Sequence, residues 1–141
     1  MGTYMTGPLQ LGTGLDNTGA DTGYVVQSQS VVLNFDATLV QSVTETLPAN
    51  SQIINIVCDV LTAYNSATSA TLTVGTTAGG TTYASGVNAK TAGRTTPTFS
   101  AAQLTSMANI GTSTSIVATV TSVGQPTAGQ VRVTYNYVQT A

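Results

Sequence analysis

"IINIVCDVLTAYNS", residues 53–66, is the most apolar continuous stretch of the chain and carries its single cysteine, Cys58, beside Asp59. It is either a reactive thiol with a carboxylate neighbour or a core strand that happens to hold both. Successive side chains on a strand point to opposite faces, so Cys58 and Asp59 cannot act on the same group. Cys58 falls on the face of Ile54, Ile56 and Val60, an apolar setting that raises a thiol pKa and makes it less reactive. The chain has no histidine, so the usual base for a cysteine or serine nucleophile is missing. The stretch is therefore expected to be a buried strand, with Cys58 structural.

The composition agrees. Charged residues make up 6% of the 141, against about 25% in ordinary soluble domains. Thr, Ser, Asn and Gln must therefore carry solubility. Thr, Val and Ile are abundant and suit a pleated sheet, while long charged helix formers are nearly missing. This length suits one domain that buries about 68% of its unfolded surface. Only Lys90, Arg94 and Arg132 are basic and the net charge is −2, too few cations for a phosphate-neutralising surface, so nucleic acid is not an expected partner. The run at 53–61 is too short to span a bilayer and is interrupted by Asn55 and Asp59, so no membrane is expected either. No secretory signal is visible, and "MGTYMT" is a chance match to a myristoylation pattern. One cysteine allows no internal disulfide, in keeping with assembly in a reducing cytoplasm.

Along the chain, residues 1–23, "MGTYMTGPLQLGTGLDNTGADTG", are rich in glycine and lack a period. They are expected to form an extended arm ahead of a β-sandwich domain at 24–141. Tyr4, Met5, Pro8, Leu9, Leu11 and Leu15 are its candidate docking residues. From Tyr24 the alternation of a half-buried strand begins. Val31, Leu33 and Phe35 share one face; Val131, Val133, Tyr135 and Tyr137 share another, opposite Arg132, Thr134 and Asn136. "LPAN" marks a turn at Pro48 and Asn50, and "VGQPTAGQ" a hairpin loop between the last two strands. One helix is expected after Ser100, with Gln103 completing a capping box and Phe99 stapled to Leu104. Leu104, Met107 and Ala108 would form its buried face. Six or seven strands with one short helix predict an all-β sandwich or jelly roll.

Few constellations suggest chemistry. The acids Asp16, Asp21, Asp36, Glu45 and Asp59 are widely spaced, and no tryptophan is present to stack a sugar beside a carboxylate pair. "DNTGADTG" lacks the alternating ligand spacing and closing Glu of a calcium loop. "GTTAGGTT" has the glycine spacing of a phosphate loop from Gly75 to Gly80, but Thr81 stands where the lysine belongs. Lys90 and Arg94 are the only clustered cations and the possible contacts for an acidic partner. Neither an enzyme nor a cofactor or metal site is expected.

The run "LPANSQIINIVCDVLTAYNSATSATLTVGTTAGG" and the closing "VRVTYNYV" resemble small all-β virion proteins of tailed bacteriophages. The resemblance lies in the "LPA" turn, an apolar strand ending in Asp-Val, and a polar loop leading into "LTVG". It implies a capsid decoration or cement protein on the outside of the virion, a homotrimer seated on the major capsid protein, with no cofactor and no reaction. The rival reading is a carbohydrate-binding module on the same sandwich, using Tyr64 or Tyr83 as an exposed platform. An ice-binding surface would need a regular threonine ladder, and "TLT", "TVT" and "TTAGGTT" share no period.

Overall fold

The computed structural model describes residues 24–139; the expected arm, with Tyr4, Met5, Pro8, Leu9, Leu11 and Leu15, lies outside them. In chain order the elements are β1 (Val26–Asn34), β2 (Val40–Leu47), β3 (Ser51–Thr62), β4 (Ser69–Gly75), β5 (Ala84–Asn88), β6 (Gly93–Thr95), α1 (Ala101–Ala108), β7 (Thr114–Val123) and β8 (Gln130–Gln139). They form two four-stranded sheets, β1-β8-β3-β6 and β2-β7-β4-β5, and every pairing is antiparallel. The pairs β1–β8, β2–β7, β3–β6 and β4–β5 are the rungs of one long two-stranded ribbon that turns back between β4 and β5. Rolling that ribbon brings β8 against β3 and β7 against β4. This is a jelly roll, the architecture expected from composition and alternation.

The roll corrects one expectation. Residues 124–129 do not close a hairpin, because β7 and β8 belong to opposite sheets. They cross the end of the sandwich and are held there by Asn65. Its Oδ1 accepts from Thr127 N at 2.8 Å and Ala128 N at 3.1 Å, and its Nδ2 donates to Thr127 Oγ1 at 2.7 Å. Strand alternation says which side chains turn inward, not which strand lies alongside, so a short loop between two strands looks the same in either case.

The inner faces make the core. Val131, Val133, Tyr135 and Tyr137 are buried from β8, with Ile53, Ile56, Cys58 and Val60 from β3. Facing them from the other sheet are Leu47, Ala70, Leu72, Val74, Ile116, Ala118 and Val120. Ile54 does not join Cys58 inside as the simple alternation suggests; it is 47% exposed. The register between β3 and β8 shifts between Ile53 and Asn55, and such a bulge adds a residue that reverses the facing of everything before it.

The helix starts as expected. Ser100 N donates to Gln103 Oε1 at 2.9 Å, and Gln103 N donates to Ser100 Oγ at 3.3 Å. Its buried face differs in part: Met107 points inward as expected and Gln103 joins it, while Leu104 and Ala108 are exposed. Gln103 is drawn in because its Nε2 also donates to Thr81 O at 3.0 Å, and the residue one turn on is Met107 rather than Leu104. The "GTTAGGTT" segment closes on itself instead of cradling a phosphate. Gly80 N donates to Thr77 O at 2.9 Å, and Gly79 N to Thr119 Oγ1 at 2.9 Å. A Cβ at Gly75 would lie 2.6 Å from the backbone of Gly80, so the glycine there permits a close chain crossing.

Two buried tyrosines give opposite expectations. Tyr64 OH donates to Gln41 Oε1 at 3.0 Å, both residues being buried. Tyr64→Phe leaves that oxygen unpaired and should cost about 1–3 kcal/mol. The Tyr135 hydroxyl is buried without a hydrogen-bond partner among the described residues, so Tyr135→Phe should be neutral or mildly stabilising. Urea denaturation of the two variants separates them, and equal losses would refute the distinction.

Candidate functional site

Asp59 and Cys58 point to opposite faces of β3, as expected: Cys58 is fully buried in the core and Asp59 belongs to the outer face. The β-ladder then supplies Asp59 with partners on both sides. Arg94 is its register partner on β6 and Arg132 its register partner on β8, so the three side chains form one row across β6, β3 and β8. Directly opposed residues are close enough for charge pairing. Arg94 Nε donates to Asp59 Oδ1 at 2.6 Å and Arg94 Nη2 to Oδ2 at 3.2 Å. Arg132 Nη2 donates to the same Oδ2 at 3.0 Å.

The electrostatics follow from this geometry. The two hydrogen bonds from Arg94 hold the Asp59 carboxyl below its usual range; burial opposes them, and Arg132 adds to the downward pull. The Asp59 side chain is 9% exposed, against 69% for Arg94 and 42% for Arg132. One buried negative charge thus lies behind two exposed positive ones, leaving a net charge of about +1 on the face.

Beside the row is an open depression of about 390 Å³, lined by Ser30, Val57, Thr134 and Asn136 together with Asp59, Arg94 and Arg132. Ser30 Oγ and Thr134 Oγ1 lie 2.9 Å apart, and Ser28 Oγ donates to Asn136 Oδ1. A second hollow of about 360 Å³ runs between β5 and residues 95–98, with no charged side chain in its lining.

The sequence-predicted residues fare unevenly. Arg94 lies in the row, but Lys90 does not. Lys90 Nζ donates to the backbone carbonyls of Ser66 at 2.7 Å, Ala67 at 3.3 Å and Thr68 at 3.4 Å, fixing the loop before β4. The two cations expected to cluster are committed to different partners, Arg94 to Asp59 and Lys90 to a loop. Tyr64 and Tyr83, the platform of the carbohydrate reading, are 1% and 3% exposed and belong to the hydrophobic core. Asp59 and Arg132 were not expected to join Arg94, although placing Arg132 on the polar face of the last strand was correct. Among the described residues no three His, Cys, Asp or Glu side chains come together to hold a metal. Comparison with protein-family models, curated proteins and solved structures gives no match.

Proposed function

We propose that this chain is a virion structural protein, a capsid decoration protein that binds the outside of a tailed-phage head and bridges capsid subunits. The observation that carries the reading is the segment 47–80, whose sequence resembles such proteins and which supplies the end of β2, then β3 and β4, to a jelly roll. Jelly rolls recur in viral capsid and lectin domains, and a fold by itself does not assign a function. The surface chemistry adds support. Ser, Thr and Val side chains, such as Ser28, Ser30, Val32, Thr44 and Thr46, dominate the outward positions of β1 and β2. These short side chains lose little rotamer freedom when another surface covers them, so docking costs less entropy than on a Lys- and Glu-covered face.

Self-association is part of the proposal. β1 stands at the edge of its sheet, nine residues long, "VQSQSVVLN", with no proline and no charge. Edges of that kind are normally blunted by such residues. A homotrimer is the expected assembly. The carbohydrate reading no longer has its tyrosine platform.

Co-sedimentation with phage heads that lack their native decoration tests the function. Saturable binding at a fixed ratio to the major capsid protein, with light scattering at three times the 14.3 kDa chain mass, is the expected result. Failure to bind heads, together with specific binding on a glycan array, would sink the proposal.

A further inference from the structure

The geometry points to a carboxylate-binding site formed by Arg94 and Arg132 over Asp59, which takes an acidic side chain of a partner protein. Each guanidinium has five N–H donors, and Asp59 accepts three of the ten. The remaining donors are on side chains that are 69% and 42% exposed, while the carboxylate between them is almost covered. An approaching anion therefore meets the two cations first.

Their placement is unusual for this chain. Two of its three basic residues share this one spot, the third is committed to loop carbonyls, and the chain as a whole carries −2. The paired N–H donors of a guanidinium match the two oxygens of a carboxylate, which a lysine ammonium does not. The adjoining depression, with the hydroxyls of Ser30 and Thr134 and the amide of Asn136, has room for the partner's neighbouring atoms. No aromatic ring lines it, so it lacks the stacking surface that an acidic sugar would use. That favours a protein carboxylate. The inference rests on the proposed function only in taking a protein as partner, and its assay needs no capsid, so either can fail alone.

The test is a titration of the full chain with an N-acetylated hexaglutamate peptide, following the Nε–H resonances of the arginines by NMR. Hexaglutamine and oligogalacturonate serve as parallel probes. Hexaglutamate should shift the Arg94 and Arg132 signals, and its affinity should fall as salt rises. Arg94→Gln and Arg132→Gln should each weaken binding about tenfold, the scale of one charge-assisted hydrogen bond. Asp59→Asn, which removes the negative charge and leaves both arginines, should bind at least as tightly. Circular dichroism and melting establish that each variant is folded; if the arginine variants are not, the wild-type resonances and Asp59→Asn decide. Arginine signals unmoved by hexaglutamate would overturn the site, as would unchanged binding by both folded glutamine variants. So would weaker binding by folded Asp59→Asn, or binding of oligogalacturonate alone.

Discussion

The unfolding free energy should stay level between about pH 5 and pH 9 and fall steeply above that range. Burial pushes the Cys58 thiol from an ordinary value of 9.0 up to about 12, with the Asp59 charge adding to it. Burial also raises Tyr64, Tyr83, Tyr135 and Tyr137 above the ordinary 10.0. In the unfolded chain these groups release their protons at ordinary values, while the folded protein still holds them. The unfolded state then binds fewer protons, so stability is complete below about pH 9 and is lost as pH rises through the folded values. For Cys58 alone, about three units correspond to a loss on the order of 4 kcal/mol. That is a large part of the 5–15 kcal/mol typical of a domain.

The acid side should be shallower. Asp59 has a lowered folded value, so its contribution is present above the ordinary carboxylate range and is lost as pH falls. Its arginine partners are largely in water, which screens the pair. Urea denaturation from pH 4 to pH 11 checks the curve, and Cys58→Ala should flatten part of the alkaline limb. A thiol reagent at pH 8 should label Cys58 only as fast as the protein unfolds. Stability unchanged at pH 11, or rapid labelling of the native protein, would contradict the buried placement of these groups.

Gly129→Ala, in the 124–129 crossing, should be strongly destabilising. A Cβ there would lie 2.6 Å from Cγ, Cδ1 and Cδ2 of Tyr64, well inside the roughly 3.5 Å at which carbon atoms rest. Neither side is free to give way. Tyr64 is buried and tied through its hydroxyl to Gln41, and Gly129 O accepts from Phe35 N at 3.0 Å, holding the crossing to the end of β1. A loss of about 3 kcal/mol is expected, or roughly 10 °C in melting temperature for a domain of this size. In a Tyr64→Leu background the same change should cost clearly less, since the two sites touch and their effects couple. Equal cost in both backgrounds would mean that the damage arises elsewhere.

The features the sequence determined by itself are those set by neighbours a few residues apart. The two-residue alternation of "VRVTYNYV" separates buried Val131, Val133, Tyr135 and Tyr137 from outward Arg132, Thr134 and Asn136, because a strand's geometry allows nothing else. The Ser100–Gln103 capping box spans one turn and forms where it was expected. Cys58 and Asp59 face opposite ways for the same local reason.

Tertiary structure alone decided which strands lie side by side. Backbone hydrogen bonds join any two strands alike, so the pairing of β1 with β8, separated by most of the chain, leaves no local mark. That is why the last two strands looked like a hairpin, and why the bulge that turns Ile54 outward was not legible. The candidate site has the same origin. Arg94 and Arg132 stand 35 and 73 positions from Asp59, and only the rolling of the ribbon sets β6 and β8 on either side of β3.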